Sequence, residues 1–213
     1  MISIIDYGAG NLRSVKRAFE KLGFNPLITS KHQDIAKSNF LILPGVGAFG
    51  SAIDNLKQLN LINPIKDYIA SGRPFLGICI GLQVLFDSSE EAPGVEGLGV
   101  FSGTVKKFNF SNLSVDNRLK IPHMGWNQLQ YKLPEPIFSE LPDNPFVYFV
   151  HSYFVAPTDK SIIVATTEYG FPFAAAIKKD NVTAVQFHPE KSGQIGLQIL
   201  RNIVNIHQDL EDF

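Results

Sequence analysis

The chain has 213 residues, enough for a full core, and its 45% hydrophobic and 18% charged residues describe a globular protein and exclude a disordered one. The formal net charge is −1 with Lys and Arg scattered along the chain, so no nucleic-acid partner is expected. One cysteine excludes an internal disulfide, the opening Met-Ile-Ser-Ile-Ile-Asp lacks the basic start and apolar stretch of a signal peptide, and no apolar run is long enough for a bilayer; the expectation is a cytoplasmic protein with no membrane partner.

A first strand is predicted over Ile2 to Ile5. A helix follows from about Leu12 to Leu22, where Leu12, Val15, Phe19 and Leu22 form one apolar stripe that Gly23 closes. Strands are expected near Pro26 to Ile28 and at Phe40 to Leu43, then a helix after the glycine-rich loop Pro44 to Gly50, and another near Ile62 to Ala70. Arg73 to Leu76 reads as a strand running into Gly77-Ile78-Cys79-Ile80-Gly81, and Leu82 to Phe86 as an amphipathic helical run. From about Gly99 to Ile177 short β-like runs are separated by turn residues, among them Pro134, Pro136, Pro142 and Pro145; they read as antiparallel strands and loops attached to the same sheet. Within this stretch Asn109 to Lys120 is polar and irregular. The chain closes with a helix from about Gly193 to His207, N-capped by Ser192, with Ile199, Leu200, Ile203 and Val204 turned inward. The βαβα order predicts an α/β fold, an open, mostly parallel twisted sheet flanked by helices with an antiparallel extension. No repeat or linker interrupts it, so a single domain over 1–213 is expected.

The chemistry starts at Cys79. Between a strand and a helix, with glycines two residues before and after, it has the layout of a nucleophile elbow, in which a sharp turn exposes the central side chain and the missing Cβ atoms avoid clashes. A helix beginning there favours thiolate through its dipole and offers free N–H groups to an oxyanion. Taken alone, an unpaired cysteine is most often a small buried hydrophobe. The second segment is Val182 to Glu190, a β-rich run ending in His188-Pro189-Glu190. Residues two apart on extended backbone face the same way, so His188 and Glu190 are expected side by side, with Pro189 discouraging helix between them. A carboxylate beside an imidazole sets its tautomer and supports the imidazolium, which completes a nucleophile, base and orienter.

Gly-Ile-Cys-Ile-Gly-Leu-Gln at 77 to 83 and Phe-His-Pro-Glu at 187 to 190 resemble the signature of class I, triad-type glutamine amidotransferases. Asp6 to Leu12, Pro44 to Gly50, Pro122-His123-Met124-Gly125-Trp126-Asn127 and His188 to Ser192 resemble more narrowly the glutaminase subunits of imidazole glycerol phosphate synthase, and the likeness runs from the first strand to the last helix. The resemblance implies a flavodoxin-like sheet and a catalytic triad of Cys79, His188 and Glu190. It implies an oxyanion hole at Val46 and Ile80, and glutamine contacts at Gly45, Gly47, Gln83, Ser152 and Tyr153. It also implies a partner interface at Asn11, Met124, Trp126, Tyr148 and Lys191. Implied with these are L-glutamine as substrate, no metal and no cofactor, and a (β/α)8-barrel cyclase in a heterodimer that takes the ammonia to make imidazole glycerol phosphate and aminoimidazole carboxamide ribonucleotide in histidine biosynthesis. Ser102 departs from the family, where proline is common.

Other readings are a glutaminase subunit for anthranilate, aminodeoxychorismate or pyridoxal phosphate synthesis, which the Pro122 to Asn127 stretch opposes, a cysteine peptidase, and a non-enzymatic binding module, which the joint presence of Cys79, His188 and Glu190 opposes. One cysteine and five dispersed histidines give no zinc ligand cluster.

Overall fold

The computed structural model describes residues 1–111, 119–131 and 134–208, so the irregular stretch noted at Asn109 to Lys120 falls largely outside the described residues. The first half of the chain is the alternating part. Strand β1 (Ile2–Ile5) leads to helix α1 (Leu12–Lys21), whose buried Val15, Ala18 and Phe19 lie on the expected stripe; Gly23 ends the turn at φ +91°, a conformation that suits glycine. Strand β2 (Leu27–Thr29) starts one residue later than expected. A six-residue helix α2 (His32–Lys37) then precedes β3 (Phe40–Gly45); only Ile35 of α2 is buried, too little for a readable stripe. Helices α3 (Phe49–Gln58) and α4 (Ile62–Ala70) follow, then β4 (Phe75–Cys79).

After Cys79 the chain departs from the expected Leu82 to Phe86 helix. Helix α5 (Ile80–Gln83) is a single turn, and Phe86 opens strand β5 (Phe86–Ser89). The reason is a competition for backbone partners. The N–H of Leu98 donates to the Val84 carbonyl at 2.7 Å, and that of Val100 to the Leu85 carbonyl at 2.8 Å, where a continuing helix would need those carbonyls for itself. Leu82, Val84, Leu85 and Phe86 are all buried, so their apolar run has no solvent face to mark a helix.

The rest is β6 (Phe101–Lys107), β7 (His123–Gln128), β8 (Gln130–Tyr131), β9 (Phe146–His151), β10 (Tyr153–Pro157), β11 (Ile163–Glu168), β12 (Pro172–Lys179), β13 (Val182–Val185) and helix α6 (Gly193–Gln208). The main sheet runs β2-β1-β3-β4-β13-β12-β11-β8; the first five strands are parallel, and β12, β11 and β8 form an antiparallel extension. The other strands do not join it: β10, β6 and β5 make a three-stranded sheet and β7 and β9 a two-stranded one. No helix among the described residues is long and apolar enough to cross a membrane.

Strand alternation divides the core between the two faces of the main sheet. Ile5, Leu41, Leu43, Phe75 and Ala184 pack with α3 and α4 on one side, while Ile4, Phe40, Ile42, Leu76 and Val185 pack with α1 and α6 on the other. Ile199, Leu200, Ile203 and Val204 face that second core as the helical period requires. Burying one such side chain stabilises by roughly 1.5–3 kcal/mol, and this double layer holds the carboxyl ends of β1, β3, β4 and β13 along one edge.

Candidate active site

Cys79 ends β4 and caps α5 at φ 55°, ψ −105°, on the side of backbone space that costs a non-glycine residue about 1–3 kcal/mol. Packing imposes the pose. A Cβ on Gly81 would overlap the carbonyl oxygen of Leu43, and one on Gly77 would stand 2.6 Å from the carbonyl oxygen of Gly81, so only glycine lets β3, β4 and α5 close around the elbow. Because α5 is one turn long, its dipole is small; what it supplies is the unpartnered N–H groups of a first turn.

His188 arrives on a different geometry from the one expected. Its N–H donates to the Tyr148 carbonyl at 2.9 Å, and Pro189–Lys191 form a 3₁₀ turn, not an extended strand. Proline fits the start of such a turn because its missing N–H has no partner there anyway. The turn still brings the two side chains together: Nδ1 of His188 donates to Oε1 of Glu190 at 2.8 Å, with both side chains 2% exposed. That bond leaves Nε2 as the reactive nitrogen, and neither Nε2 nor Oε2 of Glu190 has a fully formed hydrogen bond. Burial pushes the His188 pKa down, but the Cys79 side chain and Glu190 outweigh it and hold it up at about 9.

Ser192 stands at the head of α6 and its carbonyl accepts the Gly196 N–H, yet its hydroxyl is not a cap: it donates to the His188 carbonyl at 2.7 Å and accepts the Tyr148 N–H at 3.0 Å. Through that hydroxyl a ring of hydrogen bonds closes between His188 and β9. A Cβ on Gly196 would overlap the Pro189 carbonyl oxygen, so α6 rests directly on the turn that carries Glu190.

A pocket of about 220 Å³ opens at Cys79. Of the residues singled out in the sequence, Val46, Gly47, Ile80, Gln83, Ser152 and Tyr153 line it with the cysteine. Gly45 stands behind them: a Cβ there would overlap the Tyr7 hydroxyl and lie 2.8 Å from Cβ of Ile80. Burial and the nearby Cys79 hold the Tyr7 phenol well above its usual pKa, so it remains a neutral hydroxyl. Gly47 takes φ +103°, which glycine permits.

Sequence reasoning missed Glu91, Pro122 and Val150, which also line the pocket. Glu91 accepts the Phe49 N–H at the start of α3 at 2.7 Å, a tie across 42 residues that no local pattern announces. His151 lines the pocket too, but it is spoken for. It donates from Nδ1 to the Tyr153 carbonyl at 2.8 Å, and burial pushes its pKa down to about 3.

Met124, Trp126 and Tyr148 lie on the two-stranded sheet, where Trp126 pairs with Tyr148 in register and their rings meet edge to face at 6.1 Å. Nζ of Lys191 lies 5.8 Å from the Tyr148 ring centroid. Met124, Trp126 and the unanticipated Phe146 are 62%, 55% and 52% exposed, an apolar face beside the triad turn. Asn11 is the N-cap residue of α1, with no side-chain cap bond, and α1 packs on the Pro189–Lys191 turn.

A strained cysteine at a strand end with a pocket opening at it, and a histidine fixed by a glutamate, are the parts of a thiol amidohydrolase site on an α/β sheet. The family model described as glutamine amidotransferase class-I matches residues 3–206, and the chain belongs to that family. More narrowly, it is 50% identical over 202 residues to imidazole glycerol phosphate synthase subunit HisH of Syntrophotalea carbinolica, covering 95% of this chain and 98% of that protein. It is 51% identical over 207 residues to the HisH subunit of Gloeothece citriformis, covering 96% and 95%. A solved structure described as a glutamine amidotransferase superimposes with a TM-score of 0.74 at 17% identity over 97% of this chain and 98% of that one, a likeness of fold.

Proposed function

We propose that this chain is the glutaminase subunit of an imidazole glycerol phosphate synthase, hydrolysing L-glutamine to glutamate and ammonia. The observation that carries it is the His188–Glu190 pair, buried and bonded through Nδ1, with Nε2 left for a cysteine held in an elbow. The Cys79 sulfur anion attacks the δ-carbon of glutamine. N–H groups of Val46 and Ile80 receive the oxyanion, and imidazolium His188 gives its Nε2 proton to the amide nitrogen as the C–N bond breaks and ammonia leaves. A γ-glutamyl thioester remains. His188, now neutral, takes a proton from water; the hydroxide adds to the thioester carbon, the C–S bond breaks, and glutamate departs with the sulfur anion and imidazolium restored. Glu190 keeps the imidazole in one tautomer throughout. The scheme needs no metal or organic cofactor.

In this reading residues 1–213 form one amidotransferase domain, and Gly45, Gly47, Gln83, Ser152 and Tyr153 shape the glutamine site. The exposed Met124, Trp126 and Tyr148, with Asn11 and Lys191, receive a (β/α)8-barrel cyclase in a cytoplasmic heterodimer. Two relatives near half identity over nearly their whole length support this assignment.

The test is glutamate release from glutamine by the chain mixed with its cyclase partner, alongside Cys79→Ala. Loss of glutamine-dependent product with retention of synthesis from added ammonium salt is expected for the variant. Full glutamine-dependent activity in Cys79→Ala overturns the mechanism.

A further inference from the structure

Besides the triad, one polar side chain among the described residues is recorded in hydrogen-bond contact with the sulfur of Cys79. Gln186 is fully buried, two residues before His188, and its Nε2 lies 3.6 Å from Sγ. Its own N–H extends the β12–β13 pairing by donating to the Ala175 carbonyl at 2.8 Å, so the backbone beneath the side chain is fixed. An amide in this position is an expensive choice. Gln186 and the Gln83 side chain it meets are both buried, and a buried amide group left without partners costs about 1–3 kcal/mol.

Neighbouring bonds decide which end of the amide faces the sulfur. The Tyr153 carbonyl can only accept, so the Gln83 atom 3.1 Å from it is the Nε2 donor. The other hydrogen of that nitrogen goes to Oε1 of Gln186 at 3.1 Å. This leaves the Gln186 N–H for the sulfur. Rotating the Gln186 amide would set nitrogen against nitrogen at Gln83 and oxygen against sulfur at Cys79. The same carbonyl also receives Nδ1–H of His151, whose Nε2 then accepts from Nδ1 of His123 at 3.0 Å, while Nε2 of His123 accepts from the Asn127 amide at 3.2 Å. One carbonyl thus sets the polarity of a network running from β7 to the nucleophile.

We propose that Gln186 is a further catalytic residue, whose amide N–H holds the Cys79 sulfur as an anion in line with the pocket. The proposal rests on the glutaminase reading for its purpose, although the contact itself does not. A donor aimed at sulfur stabilises negative charge on it. Because Gln83 anchors the far side of the amide, the donor does not swing away when the sulfur moves toward substrate. Gln83 therefore acts on the sulfur through Gln186, in addition to lining the pocket.

The experiment measures the alkylation rate of Cys79 by iodoacetamide at pH 7 and pH 9, and glutamate release by the complex with the cyclase, for wild type and Gln186→Met. Methionine keeps the length and removes the donor. Alkylation at pH 7 is expected to fall roughly 10- to 100-fold, the range for losing a hydrogen bond to a charged group. It should recover much of that loss at pH 9, above the ordinary range of a free thiol, and a merely structural defect would not recover in this way. Glutamate release should fall in parallel, with ammonium-dependent synthesis retained. Alkylation within twofold of wild type at pH 7 overturns the proposal. Should Gln186→Met not fold, Gln83→Met decides: it leaves the Gln186 amide unanchored, so a several-fold fall in alkylation supports the proposal and an unchanged rate overturns it. If the wild-type complex releases no glutamate, the functional reading fails, while alkylation still reports on the contact.

Discussion

Lowering the pH from 7 to 5 is expected to destabilise the fold through two histidines that move no proton in the proposed chemistry. His123 stacks between Phe149 and Tyr169, with ring centroids at 4.8 Å and 3.9 Å, and His151 packs on Phe108 at 5.2 Å. Their nitrogens are satisfied in the neutral form, and a further proton on His151 would set two N–H groups against each other across the 3.0 Å contact. Burial pushes the His123 pKa down to about 4 and that of His151 to about 3. The unfolded chain, with histidines near 6.5, therefore binds more protons through the window from about 6.5 down to those values, and this stability is present above it and lost as pH falls. Linkage gives about 2 kcal/mol for a fully shifted histidine between pH 7 and pH 5, and about 3 kcal/mol for the pair once His123 is discounted for solvent near its Asn127 side. His188 acts with the opposite sign. Its raised pKa contributes stability that is full below 6.5 and lost as pH rises through about 9, so it offsets somewhat under 1 kcal/mol of the loss in this interval. The net of about 2 kcal/mol corresponds to a fall of roughly 1 M in the urea midpoint for a slope of about 2 kcal/mol/M. Urea titrations followed by circular dichroism at the two pH values measure it, with His123→Gln/His151→Gln expected to flatten the dependence. Equal wild-type midpoints at pH 7 and pH 5 would refute the assignment of both histidines as buried neutral groups.

Glu190→Gln should retain the Nδ1 partner but lose its charge, so glutaminase turnover falls less than in His188→Ala, and the alkaline limb of the pH–rate profile moves below about 9; an unmoved limb removes Glu190 from the role of charge partner. Gly196→Ala sets a methyl into the Pro189 carbonyl oxygen, and the displaced turn should lower stability by about 1–3 kcal/mol and glutamate release with it. Wild-type melting and turnover there would show that α6 does not brace the triad. Val46→Pro deletes one proposed oxyanion donor and should cut glutamate release by the complex roughly 10²- to 10³-fold while alkylation of Cys79 persists; normal turnover assigns the hole elsewhere.

What was legible in the sequence follows from how far each constraint reaches along the chain. Cys79 was readable because its requirement is local: Gly77 and Gly81 stand within two residues, and their Cβ positions are filled by the Gly81 and Leu43 carbonyls. The His188–Glu190 contact was expected on extended backbone and is made on a 3₁₀ turn, since a separation of two residues is short enough for either conformation to bring an imidazole to a carboxylate. Trp126 and Tyr148 are marked by the family resemblance, whereas Phe146 stands on the same outward face of β9 as Tyr148, which only strand register reveals. The Leu82 to Phe86 run reads as helix in the sequence because the partners that capture the Val84 and Leu85 carbonyls come from Leu98 and Val100, beyond any helical window. Gln186 is the limiting case. Its amide meets Gln83 across 103 residues and Cys79 across 107, and nothing in Val185-Gln186-Phe187 distinguishes it from an ordinary polar residue on a strand. Chemistry that depends on the chain turning back on itself over half its length leaves no spacing to read, so such residues emerge only when a buried polar group is asked which partner justifies its burial.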